Sequence, residues 1–273
     1  MTRILSNLHT HTAFSDGDET AEEFVLAAID KGFQSLGFSE HGFAEYDADC
    51  CIKAEDIPAY LAEIQRLRGK YAGKIELYTG FEYDYFAPVS REGLDFTIGS
   101  VHYVRTQDGA YHCIDYLPRL LETAALEMGG VQALVEQYFN LVMDMALRQK
   151  PDILGHLDLI TKFNANGRYF DTRSAWYQAL IDTTVEVVAR SGCVVEVNTG
   201  GLYNGYTSKP YPRMEWIRRL YLLGVPVTIS SDAHCTDALD YLFEEMVSVL
   251  LEVGYTSIVQ MVGGRLEQVP LER

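Results

Sequence analysis

Seven short apolar runs alternate with helix-length amphipathic stretches along nearly the whole of this chain. The runs are RILSNLH, QSLGFSE, IELYTGFEY, DFTIGSVHY, DILGH, CVVEVNT and PVTISSDAH. No other feature restricts the fold as much. Strands separated by helices pair in parallel, because a parallel neighbour needs a long crossover. Seven such strands predict an α/β fold of TIM-barrel type with one strand fewer than the usual eight, a distorted (βα)7 barrel. An open doubly wound sheet is the other solution, but the first strand–helix junction lacks a Gly-rich dinucleotide fingerprint. No linker, repeat or low-complexity segment interrupts residues 1–273, which are read as one domain.

The first helix shows how local chemistry supports this reading. In TAEEFVLAAIDKG, Thr20 can cap the N-terminus and Glu23 can complete a capping box. Phe24, Val25, Ala28 and Ile29 form one apolar face, and Gly32 ends the helix. Further helices are expected in EDIPAYLAEIQRLRGKY, GVQALVEQYFNLVMDMALRQ, SAWYQALIDTTVEVVARSG, MEWIRRLYLLG and ALDYLFEEMVSVLLEVG. Their aromatic and Met stripes read as core.

The histidines then stand out. Residues two apart on a strand point the same way, so His9 and His11 of NLHTHTAFSDG project together. Asp16 follows in a turn. His41 ends the second run, Glu82 falls near the end of the third, and His102 and His156 end the fourth and fifth. Asp232 and His234 end the last. Six of the seven histidines thus occupy the C-terminal ends of predicted strands, and only His112, in DGAYHCIDY, does not. It reads as a histidine of no catalytic consequence. In a parallel barrel those ends meet on one face, where active sites form. Imidazole is the commonest metal ligand. A mixed N and O donor set suits zinc, manganese or iron better than magnesium or calcium. One ion needs three or four protein ligands, so nine candidates suggest two or three ions.

Composition narrows the partners. The formal charge of −17 disfavours nucleic acid and anionic membranes. No apolar run reaches the length of a membrane span, and no export signal is recognisable at the N-terminus. The five cysteines, Cys50 and Cys51 among them, lack zinc-like spacing and read as reduced, inert thiols in a cytoplasmic protein.

Taken in order, HTH, FSDG, SEHG, GFEYDY, GSVHY, GHLDLI and SDAH resemble the polymerase-and-histidinol-phosphatase (PHP) superfamily. FSDG, GFEYDY and GHLDLI look most like its monofunctional histidinol-phosphate phosphatases. The resemblance implies a trinuclear centre of divalent zinc, manganese or iron. It assigns His9, His11, Glu82 and Asp232 to one ion and Asp16, His41 and His234 to a second. Glu82, His102 and His156 hold a third, with Glu82 as the bridge. Glu82, Asp232 and His234 are then the catalytic residues. Glu40, Asp84 and Asp158 flank ligands and either orient them or are solvated carboxylates.

The implied reaction is hydrolysis of a small phosphate monoester, L-histidinol phosphate, by a metal-activated hydroxide. No GxSxG nucleophile elbow suggests a covalent route. Lys162 and Lys209 are the preferred phosphate contacts among nearby cations that include Arg168, Arg173 and Arg213. A cationic alcohol fits a mouth carrying Glu45, Asp47 and Asp49 with aromatics drawn from Phe14, Phe43, Tyr85, Phe86, Tyr203 and Tyr206. Competing readings are a PHP phosphoesterase acting on nucleotides or DNA ends, an amidohydrolase, and a non-catalytic metal-binding domain.

Overall fold

Parallel strands dominate the computed structural model, which describes residues 6–271. Its strands are β1 (Ser6–Asn7), β2 (Ser35–His41), β3 (Glu76–Asp84) and β4 (Phe96–Ser100), then a small hairpin of β5 (Tyr103–Arg105) and β6 (Tyr111–Cys113). After it come β7 (Ile153–Leu154), β8 (Val194–Asn198), β9 (Val227–Ser230) and a terminal hairpin of β10 (Ser257–Val262) and β11 (Arg265–Pro270). Seven of these form one parallel sheet in the order β1-β2-β3-β4-β7-β8-β9. The two edges of that sheet meet. Thr10 pairs in parallel with Ala233, the His11 amide donates to the Ala233 carbonyl at 2.8 Å, and the Ala233 amide donates to the His9 carbonyl at 3.1 Å. The barrel therefore closes through the chain just beyond β1 and β9. Its distortion lies in β7, only two residues long. Residues 3–5 of the expected first strand lie outside the described residues.

Among the described residues eight α-helices accompany the strands: α1 (Ala21–Lys31), α2 (Ile57–Lys70), α3 (Pro118–Glu127), α4 (Val131–Asp144), α5 (Ala175–Ser191), the one-turn α6 (Gly200–Tyr203), α7 (Met214–Leu222) and α8 (Phe243–Val253). In α1 the capping box of Thr20 and Glu23 forms as expected, and Phe24, Val25 and Ala28 are buried. Both hairpins and α3 were absent from the sequence expectation. Among the described residues no helix is long and apolar enough to cross a membrane.

Two packed regions hold the barrel. The larger lies between helices and sheet and includes Phe24, Phe38, Tyr60, Phe139 and Trp216. The smaller joins Leu8, Tyr78, Phe96, Ile98, Ile153 and Val194 to Val259 and Met261 of β10. Hydrogen bonds tie this terminal hairpin to the starts of strands. Ser35 Oγ donates to the Met261 carbonyl, and the Gly263 amide donates to Glu76. The hairpin thus plugs the N-terminal end of the barrel, and each large apolar side chain it helps bury contributes about 1.5–3 kcal/mol. The opposite end is left for polar groups.

Candidate metal centre

All nine residues singled out by position gather at the C-terminal end of the barrel. Glu82, on β3, is the hub. Its Oε2 lies 3.0 Å from His41 Nδ1, 3.3 Å from His9 Nε2 and 3.6 Å from His11 Nε2. Its Oε1 lies 2.9 Å from His156 Nε2 and 3.6 Å from His102 Nε2. Asp232 Oδ1 lies 3.1 Å from His11 Nε2 and 3.4 Å from His9 Nε2. At the mouth, Asp16 stands 3.3 Å from His234 Nε2 and 3.6 Å from His41 Nε2.

Four groups have donor atoms close enough to share a cation: His11–Asp16–His41–His234, His9–His156–Asp232, His9–His11–Glu82 and His41–Glu82–His102. These overlap the three implied ligand sets without reproducing them. His11 joins the Asp16 group, and His156 falls with His9 and Asp232 as well as beside His102, whose Nε2 is 3.3 Å away. His112 stays apart on β6 and pairs with Glu127 at 3.0 Å.

Local structure explains each placement. The segment after His11 folds back because the Ser15 and Gly17 amides both donate to the Thr12 carbonyl at 3.0 Å. A Cβ at Gly17 would sit 2.2 Å from the His11 carbonyl, so only glycine allows the turn that delivers Asp16. Buried Glu40 locks the same turn, accepting from the Thr12 amide, the Thr12 hydroxyl and Ser15. Asp84 accepts from the His102 amide at 2.8 Å and from the Tyr46 hydroxyl at 2.5 Å. Asp158 accepts from the Arg213 amide at 3.2 Å. All three flanking carboxylates are buried rather than solvated. Burial pushes Glu40 and Asp158 up to about 7, against hydrogen bonds from Ser15 and Thr12 in the first case and the Arg213 charge in the second.

Sequence reasoning missed one buried carboxylate. Glu196, in the middle of β8, faces His9 Nδ1 at 2.5 Å and accepts from the His156 amide at 2.7 Å. The available signal was a single charged residue inside the apolar run CVVEVNT, which must find partners if buried.

The electrostatics describe a site built for positive charge. Burial disfavours ionised Glu82, yet His9, His102 and His41 hold its carboxyl well below the ordinary range. Asp232 is held down likewise, chiefly by His9 and His11. Burial opposes charge on His9, but Glu196, Asp232 and Glu82 outweigh it and raise that imidazole. His11, buried between His41 and His234, is lowered to about 3. His9 Nε2, both nitrogens of His11, Asp16 Oδ1, Glu82 Oε2 and His156 Nδ1 are buried without a hydrogen-bond partner. Six unpartnered donor atoms in one place are costly unless a cation satisfies them.

A cleft of about 810 Å³ opens above this cluster, lined by Tyr46, Tyr103, Tyr116, Tyr206 and Tyr211 together with Glu45, Asp47, Asp49 and Asp115. The three expected acids are present. Of the six expected aromatics only Tyr206 lines the cleft. Phe14, Tyr85, Phe86 and Tyr203 pack against the core instead, and Phe43 is half-buried outside the lining. Lys162 is on the wall, 3.5 Å from Asp115. Lys209 is exposed and lies off the wall. Arg168 and Arg173 pair with Glu122 and Asp171, and Arg213 sits behind the wall against Asp158. Cys50 borders the cleft, but burial and Asp47 push its thiol up to about 12. Cys51 is also raised, so neither is a nucleophile near neutral pH.

A parallel barrel whose strand ends gather six imidazoles and three carboxylates, with key donor atoms left unpartnered, is a cation-binding barrel in construction. The chain belongs to the PHP domain family, whose model matches residues 7–200. It is 27% identical over 259 residues to the histidinol-phosphatase of Bacillus subtilis, covering 86% of this chain and 96% of that protein. It is 30% identical over 262 residues to a protein of Deinococcus radiodurans described as a probable histidinol-phosphatase, covering 92% and 94%. Among solved structures it resembles a histidinol phosphate phosphatase of Lactococcus lactis complexed with zinc, L-histidinol and phosphate. The TM-score is 0.70 and the identity 19%, over 96% of this chain and 98% of that one.

Proposed function

We propose that this chain is a metal-dependent phosphomonoesterase that hydrolyses L-histidinol phosphate to L-histidinol and phosphate. The observation that carries the reading is Glu82, whose two oxygens face separate groups of imidazoles, His9, His11 and His41 on one side and His102 and His156 on the other. A carboxylate so placed can serve two cations at once. The unpartnered atoms of His9, His11, Asp16 and Glu82 fit that role, and their N and O chemistry fits zinc, manganese or iron. His9, His11, Asp16, His41, Glu82, His102, His156, Asp232 and His234 would hold up to three such ions. Bound divalent ions supply Lewis acidity, which offsets charge on a phosphoryl group and makes water nucleophilic near neutral pH.

The protein's own groups do the rest. Asp232 and Glu82 fix the inner imidazoles, while Asp16 and His234 hold the outer edge. Lys162, on the cleft wall 3.5 Å from Asp115, would grip a phosphate oxygen, and Asp115 would keep it in place. The tyrosines and acidic residues of the wall suit an alcohol bearing an amine and an imidazole. The named activity of the curated relatives supports the same substrate.

The test is phosphate release from L-histidinol phosphate by protein loaded with zinc, manganese or iron, repeated after chelation. Turnover that disappears with the chelator and returns with metal is expected. Metal-loaded protein that leaves the ester intact refutes the substrate assignment.

A further inference from the structure

Glu196 stands outside the nine ligand candidates, yet it makes direct hydrogen-bond contact with two of them, His9 and His156. One oxygen faces His9 Nδ1 at 2.5 Å and accepts from the Ser230 hydroxyl. The other accepts from the His156 amide at 2.7 Å and from Asn198 Nδ2 at 3.0 Å. Asn198 Nδ2 also reaches Asp232 Oδ2 at 3.3 Å. The Asn198 amide cannot turn over, since its Oδ1 accepts from the Gly200 amide at 2.8 Å.

These contacts fix an orientation. With Nδ1 facing a carboxylate, His9 carries its proton there and presents Nε2 inward, 3.3 Å from Glu82 and 3.4 Å from Asp232. That Nε2 has no hydrogen-bond partner. An imidazole that binds metal through one nitrogen usually donates its other N–H to a carboxylate or carbonyl, which sets both tautomer and ring angle. We infer that Glu196 is the positioning residue of this centre: it holds His9 with Nε2 bare toward the ions and, through Asn198, sets Asp232 beside it. The inference rests on the metal-centre reading above.

Glutamine is the discriminating substitution because it keeps the shape. With its oxygen toward His9, its amide hydrogens confront the donors of His156 and Asn198. Turned over, the amide donates to His9 Nδ1 and forces the proton onto Nε2. Neither orientation satisfies the site.

E196Q should bind zinc about 10- to 100-fold more weakly in competition with a chelator. Its kcat should fall with metal occupancy, while KM for L-histidinol phosphate stays within about twofold. A second measurement needs no variant. In zinc-loaded wild-type protein, nitrogen NMR should show His9 protonated at Nδ1 and metal-bound at Nε2. The opposite tautomer, or wild-type zinc affinity in folded E196Q, overturns the positioning role. Wild-type protein that binds no zinc overturns this role and the metal reading together. Wild-type protein that binds zinc but spares histidinol phosphate removes only the substrate.

Discussion

The ammonium nitrogen of Lys162 lies 3.5 Å from a carboxylate oxygen of Asp115, and 4.6 Å from the centre of the Tyr206 ring. All three residues line the cleft. The cation is thus held between a counter-charge and a π face, with hydrogen-bond capacity left for a ligand. Lys162→Ala should lower kcat/KM for a phosphate monoester roughly ten- to a hundredfold, the equivalent of about 1.5–3 kcal/mol for a bond to a charged group. Lys209→Ala, at an exposed position off the wall, should change it by less than about twofold. Steady-state kinetics on both variants measure this, and equal losses would remove Lys162 from its assigned role.

Metal should contribute to stability as well as to turnover. Purified protein should contain more than one transition-metal ion per chain by elemental analysis. At ion concentrations about a hundredfold above the dissociation constant, binding adds about 2.7 kcal/mol to the native state. Chelation should therefore lower Tm and abolish activity, and zinc, manganese or iron should restore both. Fully active protein containing one ion or none would contradict a multinuclear centre.

Glu82→Gln separates a shared ligand from an ordinary core residue. The amide lacks the negative charge and the second anionic oxygen, so occupancy should fall at two sites together. His112→Ala breaks only the contact with Glu127 and should leave activity nearly intact. Metal content and rate measured on both variants test the contrast. A similar loss from each would show that Glu82 acts through stability alone.

Substrate choice should follow the chemistry of the wall. Histidinol phosphate should be turned over with kcat/KM roughly a hundredfold above a nucleoside monophosphate or a neutral sugar phosphate, about 2.7 kcal/mol of differential transition-state binding. Kinetics on the three esters at matched metal content decide the matter. Comparable efficiencies would describe a generic phosphoesterase.

What could be read from the sequence followed the barrel's regularity. His41, Glu82 and Asp232 were legible because strand ends are equivalent positions, and equivalence turns scattered residues into a cluster. Glu196 was not, because a carboxylate in mid-strand has no such marker and its partners His9, His156 and Ser230 come from just beyond β1, just beyond β7 and the end of β9. The cleft wall was also hidden. Tyr103 and Cys113 reach it on a hairpin of three-residue strands, too short for periodicity to reveal. Tyr85 and Phe86 follow β3 just as directly in sequence, but the loop folds them against the core. The terminal hairpin had a signal in the adjacent Gly263 and Gly264 between two apolar-containing runs. Helix α8 immediately before it invited a reading of the chain as strand–helix units only.

That terminal hairpin makes the barrel a blind well. Among the described residues, Val259 and Met261 pack into its lower end and close it. An ester entering the cleft bordered by Tyr46, Tyr116 and Tyr206, and the two fragments it would leave behind, then share that doorway. Traffic is then single-file. Free phosphate, the fragment that most resembles the reacting group, would compete there with the next ester, so added phosphate is expected to slow turnover.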